Sequence, residues 1–170
     1  MKKKLIGIAL ILLSIMIVSV SAFVYESAQQ TVGQTIVNVA TITLKNSSLG
    51  NLDEGDTKTY TKADVAELGA AISLTTSKAV YLHLNSDIDS LTTYYTSYSV
   101  TVKYITVPGG STHNVGDTAA TMTTGSPDPA AINLDVAGTW AFDFEITTTA
   151  KSVTGNQAST ATVVVTAEST

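Results

Sequence analysis

Oxygen-bearing side chains at alternate positions form the most specific candidate site in this sequence. Asn85, Asp87 and Asp89 place one amide and two carboxylates two residues apart. A calcium loop presents its oxygens in this way, because every second side chain must converge on one hard cation. Ser90 stands where an EF-hand loop requires Gly, and Thr96 where it requires Glu, so that loop is excluded. The trio therefore predicts either a looser calcium site or a solvated turn.

Few side chains are suited to catalysis. The chain has no Cys and two histidines, His83 and His113, of which the first alternates with apolar residues and the second lies in a Gly-Ser loop. Asp143 and Glu145 share one face of a predicted strand, and such neighbours do not form the cleft that a glycosidase needs. We interpret them as solvent-facing charges that limit edge aggregation. We expect no enzymatic activity and no cofactor, with calcium as the one alternative.

One feature predicts an exposed surface, and a second has two interpretations. Asn46-Ser47-Ser48 is a glycosylation acceptor in a segment that continues into a Gly- and Asp-rich turn. Several tyrosines could form a strip that stacks on sugar rings, or could cap a hydrophobic core. These tyrosines are Tyr81, Tyr94, Tyr95, Tyr98 and Tyr104. We favour the core interpretation.

The charge balance argues against nucleic acid as a partner. The chain has 14 acidic residues against 9 Lys and Arg, and all nine of these are Lys. Three of them, Lys2, Lys3 and Lys4, lie in the leader, so the remainder is more acidic still. Bidentate recognition of phosphates and base edges depends on the Arg side chain, which is missing here.

The leader is an uncharged apolar segment, Leu5 to Val24, directly behind the three lysines. Val20-Ser21-Ala22 matches a small-x-small cleavage pattern, which predicts a signal peptide cut after Ala22. An uncleaved helical anchor is the alternative, because a segment of this length can span a bilayer. Either way, we expect the protein outside the cell or on its surface, with the N-terminal segment as its link to the envelope.

The rest of the chain alternates as strands do. Thr31 to Leu44 has period two, with apolar residues on both faces. Further strands are predicted at 57–61, 72–76, 79–84, 97–107 and 115–122. We expect 139–147 and 158–167 to form a hairpin, with Trp140, Phe142, Phe144 and Ile146 facing inward. Thr61 to Leu68 carries the one helix signal after the leader.

Strands spaced in this way predict an all-β fold, an Ig-like or jelly-roll β-sandwich of about seven or eight strands preceded by an N-terminal apolar helix. The predicted segments are 1–22, a signal peptide or membrane anchor; 23–45, an N-terminal segment with the long first strand and a candidate donor strand; and 46–170, the sandwich domain. With no Cys, packing and strand pairing must supply the stability.

The leader, the run Thr35 to Asn46 and the ending Leu134 to Phe144 resemble those of small uncharacterised secreted proteins of archaea. The architecture is also similar to that of archaeal filament subunits. Type IV pilins are cut after a small residue just before the apolar segment, where this chain has Lys4. Bundling pili and biofilm fibres related to bacterial TasA are therefore the nearer resemblance, and they lend their new N-terminal segment as a strand to the next subunit.

Two functions follow as hypotheses. The first is a non-enzymatic structural subunit that self-associates into a surface filament or pilus by N-terminal strand exchange. Its assembly residues would be Thr35, Ile36, Val37, Val39, Ile42 and Leu44. The second is a membrane-anchored surface module, not a polymer, that binds glycan or calcium through the 85–98 region.

Overall fold

The computed structural model describes residues 39–170, which form nine strands and two short 3₁₀ helices. The strands are β1 (Ala40–Leu44), β2 (Thr57–Tyr60), β3 (Ile72–Thr76), β4 (Val80–Ser86), β5 (Tyr95–Thr106), β6 (Thr118–Thr123), β7 (Ile132–Leu134), β8 (Gly138–Ala150) and β9 (Val163–Ser169). The 3₁₀ helices are Ala66–Leu68 and Ile88–Thr93. The prediction of a mostly β protein is therefore confirmed. The predicted N-terminal helix lies outside the described residues.

The strands form two antiparallel sheets, as expected of a β-sandwich. The larger sheet has the order β1-β3-β8-β5-β6, and β2 pairs with the far end of β8 on the same side as β3. The smaller sheet has the order β7-β4-β9. The long strand β8 is central because its first residues pair with β3, its last residues pair with β2, and its other side pairs with β5.

The core lies where alternation predicted it. Trp140 and Phe142 are fully buried, and Phe144 and Ile146 continue the same apolar row along β8. The inward row of the neighbouring strand β5 is equally regular, because Tyr98, Val100, Val102 and Tyr104 are all buried. Large aromatic side chains remove the most apolar surface from water, so this pair of strands anchors the sandwich.

The predicted hairpin between 139–147 and 158–167 is wrong. β9 pairs along its whole length with β4, from Val80 opposite Ser169 to Ser86 opposite Val163. The connection 151–162 is too long for a tight hairpin turn, and it carries the chain from the larger sheet to the smaller one. The turn signal at Gly155 and Asn156 is local and does not specify which strand β9 joins.

The prediction that Asp143 and Glu145 are solvent-facing charges that limit edge aggregation is also wrong, because β8 is an interior strand. Asp143 forms an ion pair with Lys62 at 2.8 Å and accepts a hydrogen bond from the backbone N–H of Ala70 at 2.8 Å. Glu145 pairs with Lys103 of the adjacent strand at 2.8 Å. These carboxylates tie neighbouring elements to the sheet.

The helix signal near Thr61 gives a turn instead of a full helix. The Asp64 carboxylate accepts bonds from the Thr61 N–H at 2.9 Å and the Thr61 hydroxyl at 3.0 Å, as a capping residue does. The helical residues that follow are only Ala66–Leu68. Leu68 is completely buried, and the helix ends after it because the backbone of Gly69 is extended.

Candidate functional site

The three predicted calcium ligands, Asn85, Asp87 and Asp89, make separate contacts in the structure. Asp87 Oδ1 accepts a hydrogen bond from the Thr162 N–H at 2.6 Å, and Asp89 Oδ1 accepts one from the Gly125 N–H at 2.5 Å. Asn85 is exposed on β4. Within residues 39–170 no cluster of three His, Asp or Glu side chains could hold a metal ion. Calcium binding stays a prediction, and the observed role of the two carboxylates is to brace loops.

Ser111 and His113, in the loop between β5 and β6, lie close to Asp135, in the loop between β7 and β8, which the sequence did not indicate. Asp135 accepts hydrogen bonds from the Ser111 hydroxyl and from the Thr112 N–H and hydroxyl, each at 2.7 Å. The His113 ring stacks on Tyr104 with centroids 4.9 Å apart, and its Nε2 donates to a backbone carbonyl at 2.7 Å. A catalytic triad needs the imidazole on the hydroxyl. Here the hydroxyl is held by the carboxylate, so the group anchors the loop.

The electrostatics of this loop follow from its hydrogen bonds. The Ser111 hydroxyl, together with the two groups of Thr112, lowers the pKa of Asp135 from 3.8 to about 2. A carboxylate that accepts several such bonds is stabilised in its charged form. Hydrogen bonds from Thr61 also lower the pKa of Asp64, and burial raises the pKa of the core residues Tyr98 and Tyr104 to about 12. None of these shifts creates a group that titrates near neutral pH.

The tyrosines do not form one strip. Tyr98 and Tyr104 are buried, which confirms the core interpretation for these two, whereas Tyr81 is 41% exposed on the smaller sheet. Tyr94 and Tyr95 line an open cavity of about 400 Å³ between the segments 50–54 and 150–159. The residues on either side of this cavity are distant in sequence, which is why the sequence did not indicate it.

The outer face of the larger sheet is a hydroxyl surface. Thr57 and Thr59 of β2 lie opposite Thr149 and Thr147 of β8, and each pair of hydroxyls is 2.9 Å apart. Ser97 of β5 extends the row by donating to Thr149 at 3.0 Å. Cross-strand hydroxyl pairs of this kind stabilise a sheet while leaving it hydrophilic. The Thr-rich composition therefore supplies the solvent-facing layer.

Within residues 39–170, β9 is an edge strand whose inward face is only partly covered. Its inward side chains Val163, Val165 and Ala167 are only partly buried, although the inward residues of the adjacent β4 are almost completely buried. Val164, on the other face, is 51% exposed. The strand has seven residues and contains neither Lys nor Pro, and its one charged side chain, Glu168, lies near its C-terminal end. Natural edge strands are normally short, charged or interrupted, so this edge is suited to receive another strand.

The remaining edge strands of both sheets are short, lie next to a Lys or pair irregularly, and these features hinder the addition of a further strand. β7 has three residues, β2 has four residues with Lys58 at its centre, and β1 has five residues followed by Lys45. Pairing of β6 with β5 contains a register shift at Val102 and Lys103. Among the strands of residues 39–170, β9 is thus the longest unprotected edge. The signal for it in the sequence is the run Val163-Val164-Val165, which the hairpin prediction assigned to the wrong partner.

Half of the predicted assembly residues can be located. Thr35, Ile36 and Val37 lie outside the described residues, as do the leader and its cleavage site. Val39 packs against the core just before β1, and Ile42 and Leu44 lie in β1, which pairs with β3 of the same chain. Leu44 is 46% exposed. Their role in assembly stays a prediction.

The predicted glycosylation site and His83 both lie at the surface. Asn46 is exposed in the segment that follows β1, as a glycosylation site must be, and its modification stays a prediction. His83 lies on the surface of β4, where its Nε2 is 3.4 Å from a carboxylate oxygen of Glu168. Across residues 39–170, none of the helices has the length and apolar character needed to cross a bilayer.

Comparisons with known proteins add no relative. No protein-family model matches the chain, and no curated protein is significantly similar to it.

Proposed function

We propose that this protein is a non-enzymatic extracellular structural protein whose copies assemble into a cell-surface filament. In this assembly, the N-terminal segment of one copy adds as a strand to β9 of the next. The sandwich would be of the Ig-like or jelly-roll type, since the chain alternates between the two sheets from β3 to β5 and from β7 to β9. The observation that supports the proposal is the unprotected, half-covered edge of β9.

Strand addition suits this edge for two physical reasons. The side of β9 that pairs with no strand of residues 39–170 presents backbone N–H and C=O groups that a partner strand can pair, which gives affinity independent of sequence. The half-buried Val163, Val165 and Ala167 provide apolar surface that the added strand would cover, which gives further stabilisation. Without this apolar row, an added strand could pair with β9 in several registers, because register is specified by the burial of one face.

The donor is the segment that precedes β1. Thr35, Ile36 and Val37 have the β-branched pattern of a strand, whereas Ala40–Leu44 already pairs with β3 in its own chain. A strand donated from residues before Val39 leaves that pairing intact. Cleavage after Ala22 would free the donor, and this step is part of the proposal.

The deletion of residues 23–35 from the full chain tests the donor. We expect the protein cleaved after Ala22 to form uniform fibres in electron microscopy, and the cleaved protein that lacks residues 23–35 to sediment as a monomer. Circular dichroism of the shortened protein should still show a folded β-sandwich that unfolds cooperatively on heating. Fibres formed by the shortened protein would contradict strand donation.

A matched pair of substitutions tests the acceptor. Val164→Lys places a charge on the exposed face of β9, and Val115→Lys places one at a valine that is 64% exposed outside the edge strands. We expect fibres from the Val115→Lys protein and none, or far fewer, from the Val164→Lys protein. Equal polymerisation of both would rule out β9 as the acceptor edge.

A further inference from the structure

The cavity beside Tyr94 has the features of a binding site. We propose that it binds a neutral saccharide, with Tyr94 as the stacking surface and Asn51, Asp53 and Asn156 as the groups that hydrogen-bond the sugar hydroxyls. This activity is separate from filament assembly, because the cavity residues lie outside β9 and the donor segment. Its volume of about 400 Å³ is in the range of small-ligand sites.

Backbone hydrogen bonds join the three segments that form the walls of the cavity. Backbone bonds join the segment around Glu54 to the end of β8, from the Gly55 N–H to the Ala150 carbonyl at 3.2 Å and from the Ala150 N–H to the Asp56 carbonyl at 3.0 Å. The Lys151 N–H donates to the Tyr94 carbonyl at 2.8 Å. Three distant segments are thus held together, and a preformed site loses less entropy on binding.

Several polar side chains of the walls already have protein partners. Glu54 Oε1 accepts a bond from the Val153 N–H at 3.0 Å, and Lys151 Nζ donates to the Thr92 carbonyl at 2.5 Å. The Tyr95 hydroxyl is 3.0 Å from the Ser159 hydroxyl, and its ring packs edge-on against Tyr98. These contacts stabilise the cavity itself. The side chains that would bind the ligand are those that make no such hydrogen bond within residues 39–170.

The free groups are of the type that polyols require. Asn51, Asp53 and Asn156 line the cavity, are exposed and make no side-chain hydrogen bond to the described part of the chain. An amide both donates and accepts, and a carboxylate accepts through two oxygens, so together they match adjacent hydroxyl groups. Tyr94 is half-buried and offers an aromatic ring that can pack on the apolar face of a sugar.

Other ligand classes fit less well. An anion would meet the carboxylates of Asp53 and Glu54, while the ammonium group of Lys151 is turned to a backbone carbonyl. A calcium ion needs six to eight oxygen ligands, and the carboxylate of Glu54 is already engaged by a backbone N–H. A purely apolar ligand would strip water from the amides without replacing its hydrogen bonds. A neutral, hydroxyl-rich molecule satisfies these groups.

Saturation-transfer difference NMR on the full chain tests this proposal, because the method detects ligand binding to monomers and to large assemblies. The probes are maltotriose, cellotriose and the trimer of N-acetylglucosamine, each titrated to about 10 mM, since exposed polar sites commonly bind in the micromolar to millimolar range. We expect at least one of the three to bind. Failure of all three to bind would overturn the proposal.

Variants locate the site. We expect Tyr94→Ala and Asn156→Ala each to weaken binding of that trisaccharide about tenfold, the loss typical of one good contact. Asn156 is exposed, so its replacement leaves the fold intact. Tyr81→Ala is the control, because Tyr81 is an exposed tyrosine on the other sheet. Equal weakening by the control, or unchanged binding by both cavity variants, would overturn the assignment. Fibre formation by the cavity variants should be unchanged, which separates this proposal from assembly.

Discussion

Gly138 lies directly against Pro108. A Cβ atom at position 138 would be 2.7 Å from both Cβ and Cγ of that proline, and the φ angle of Gly138 is +143°. This close approach occurs where β8 begins, beside Thr76, whose hydroxyl is 3.3 Å from the Gly138 N–H. The entry of the central strand into the sheet therefore depends on the absence of a side chain.

The first prediction concerns this contact. Gly138→Ala should lower the free energy of unfolding by about 2 kcal/mol, because it adds both backbone strain and a steric clash. Urea denaturation followed by circular dichroism measures the change. Gly125→Ala is the control, since Gly125 has a φ angle of +93° but no atom within 4 Å of the added Cβ. The control should lose about 1 kcal/mol, and an equal loss in both variants would mean that the contact with Pro108 has no effect.

The second prediction is a pH dependence that arises from Asp135. Its pKa is about 2 in the folded protein and close to 3.8 in the unfolded chain. Because the folded pKa is the lower one, the stabilisation is complete above about pH 4 and is lost as the pH falls towards about 2. Asp135→Asn should therefore be less stable at neutral pH, by about 1 kcal/mol, and should show a weaker pH dependence over that range.

Denaturation of both proteins at a series of acidic pH values checks this expectation. The carboxyl carbon shift of Asp135 in NMR would report its titration directly. Parallel loss of stability in the two proteins would show that the hydrogen bonds from Ser111 and Thr112 do not stabilise the charged carboxylate.

The third prediction compares two neighbouring threonines that face opposite sides of β8. The Thr148 hydroxyl is buried and has no partner within residues 39–170, whereas the Thr147 hydroxyl is 2.9 Å from that of Thr59. Thr148→Val removes a buried polar group while keeping the shape, so it should raise the free energy of unfolding by about 1 kcal/mol. Thr147→Val removes a cross-strand bond and should lower it by about 0.5 kcal/mol.

Thermal and urea denaturation of the two Val variants provide the measurement. Because both variants replace Thr by Val on the same strand, differences in β propensity cancel. A loss of stability in Thr148→Val as large as that in Thr147→Val would mean that the buried hydroxyl makes a stabilising interaction.

Local sequence patterns predict many of the strands and their buried faces. Alternation along 97–107 predicted the inward row of β5 from Tyr98 to Tyr104, and the same period located Trp140 and Phe142 in the core. Such patterns succeed because successive side chains of a strand point to opposite faces, so the sequence of a strand records which face is buried. The positions of most strands follow from the same rule.

Strand partners and long-range contacts were not predictable in this way. β9 has the pattern of a strand, but alternation contains no information on whether it joins β8 or β4. The short strand β7 was missed because three residues are too few to show a period. Asp135 could not be matched to Ser111, nor Asn156 to Tyr94, because nothing local relates residues so far apart in the chain.

The sequence by itself determined that the chain forms β-strands, which faces of those strands are apolar, and that its solvent-facing layer is made of hydroxyl groups. Only the tertiary structure decided that, among residues 39–170, β9 is a partly covered edge strand and that the segments 50–54 and 150–159 line a cavity. The physical reason is that burial pattern is a property of one strand, whereas an edge or a cavity is a property of several segments. Their arrangement depends on how all the apolar faces pack together.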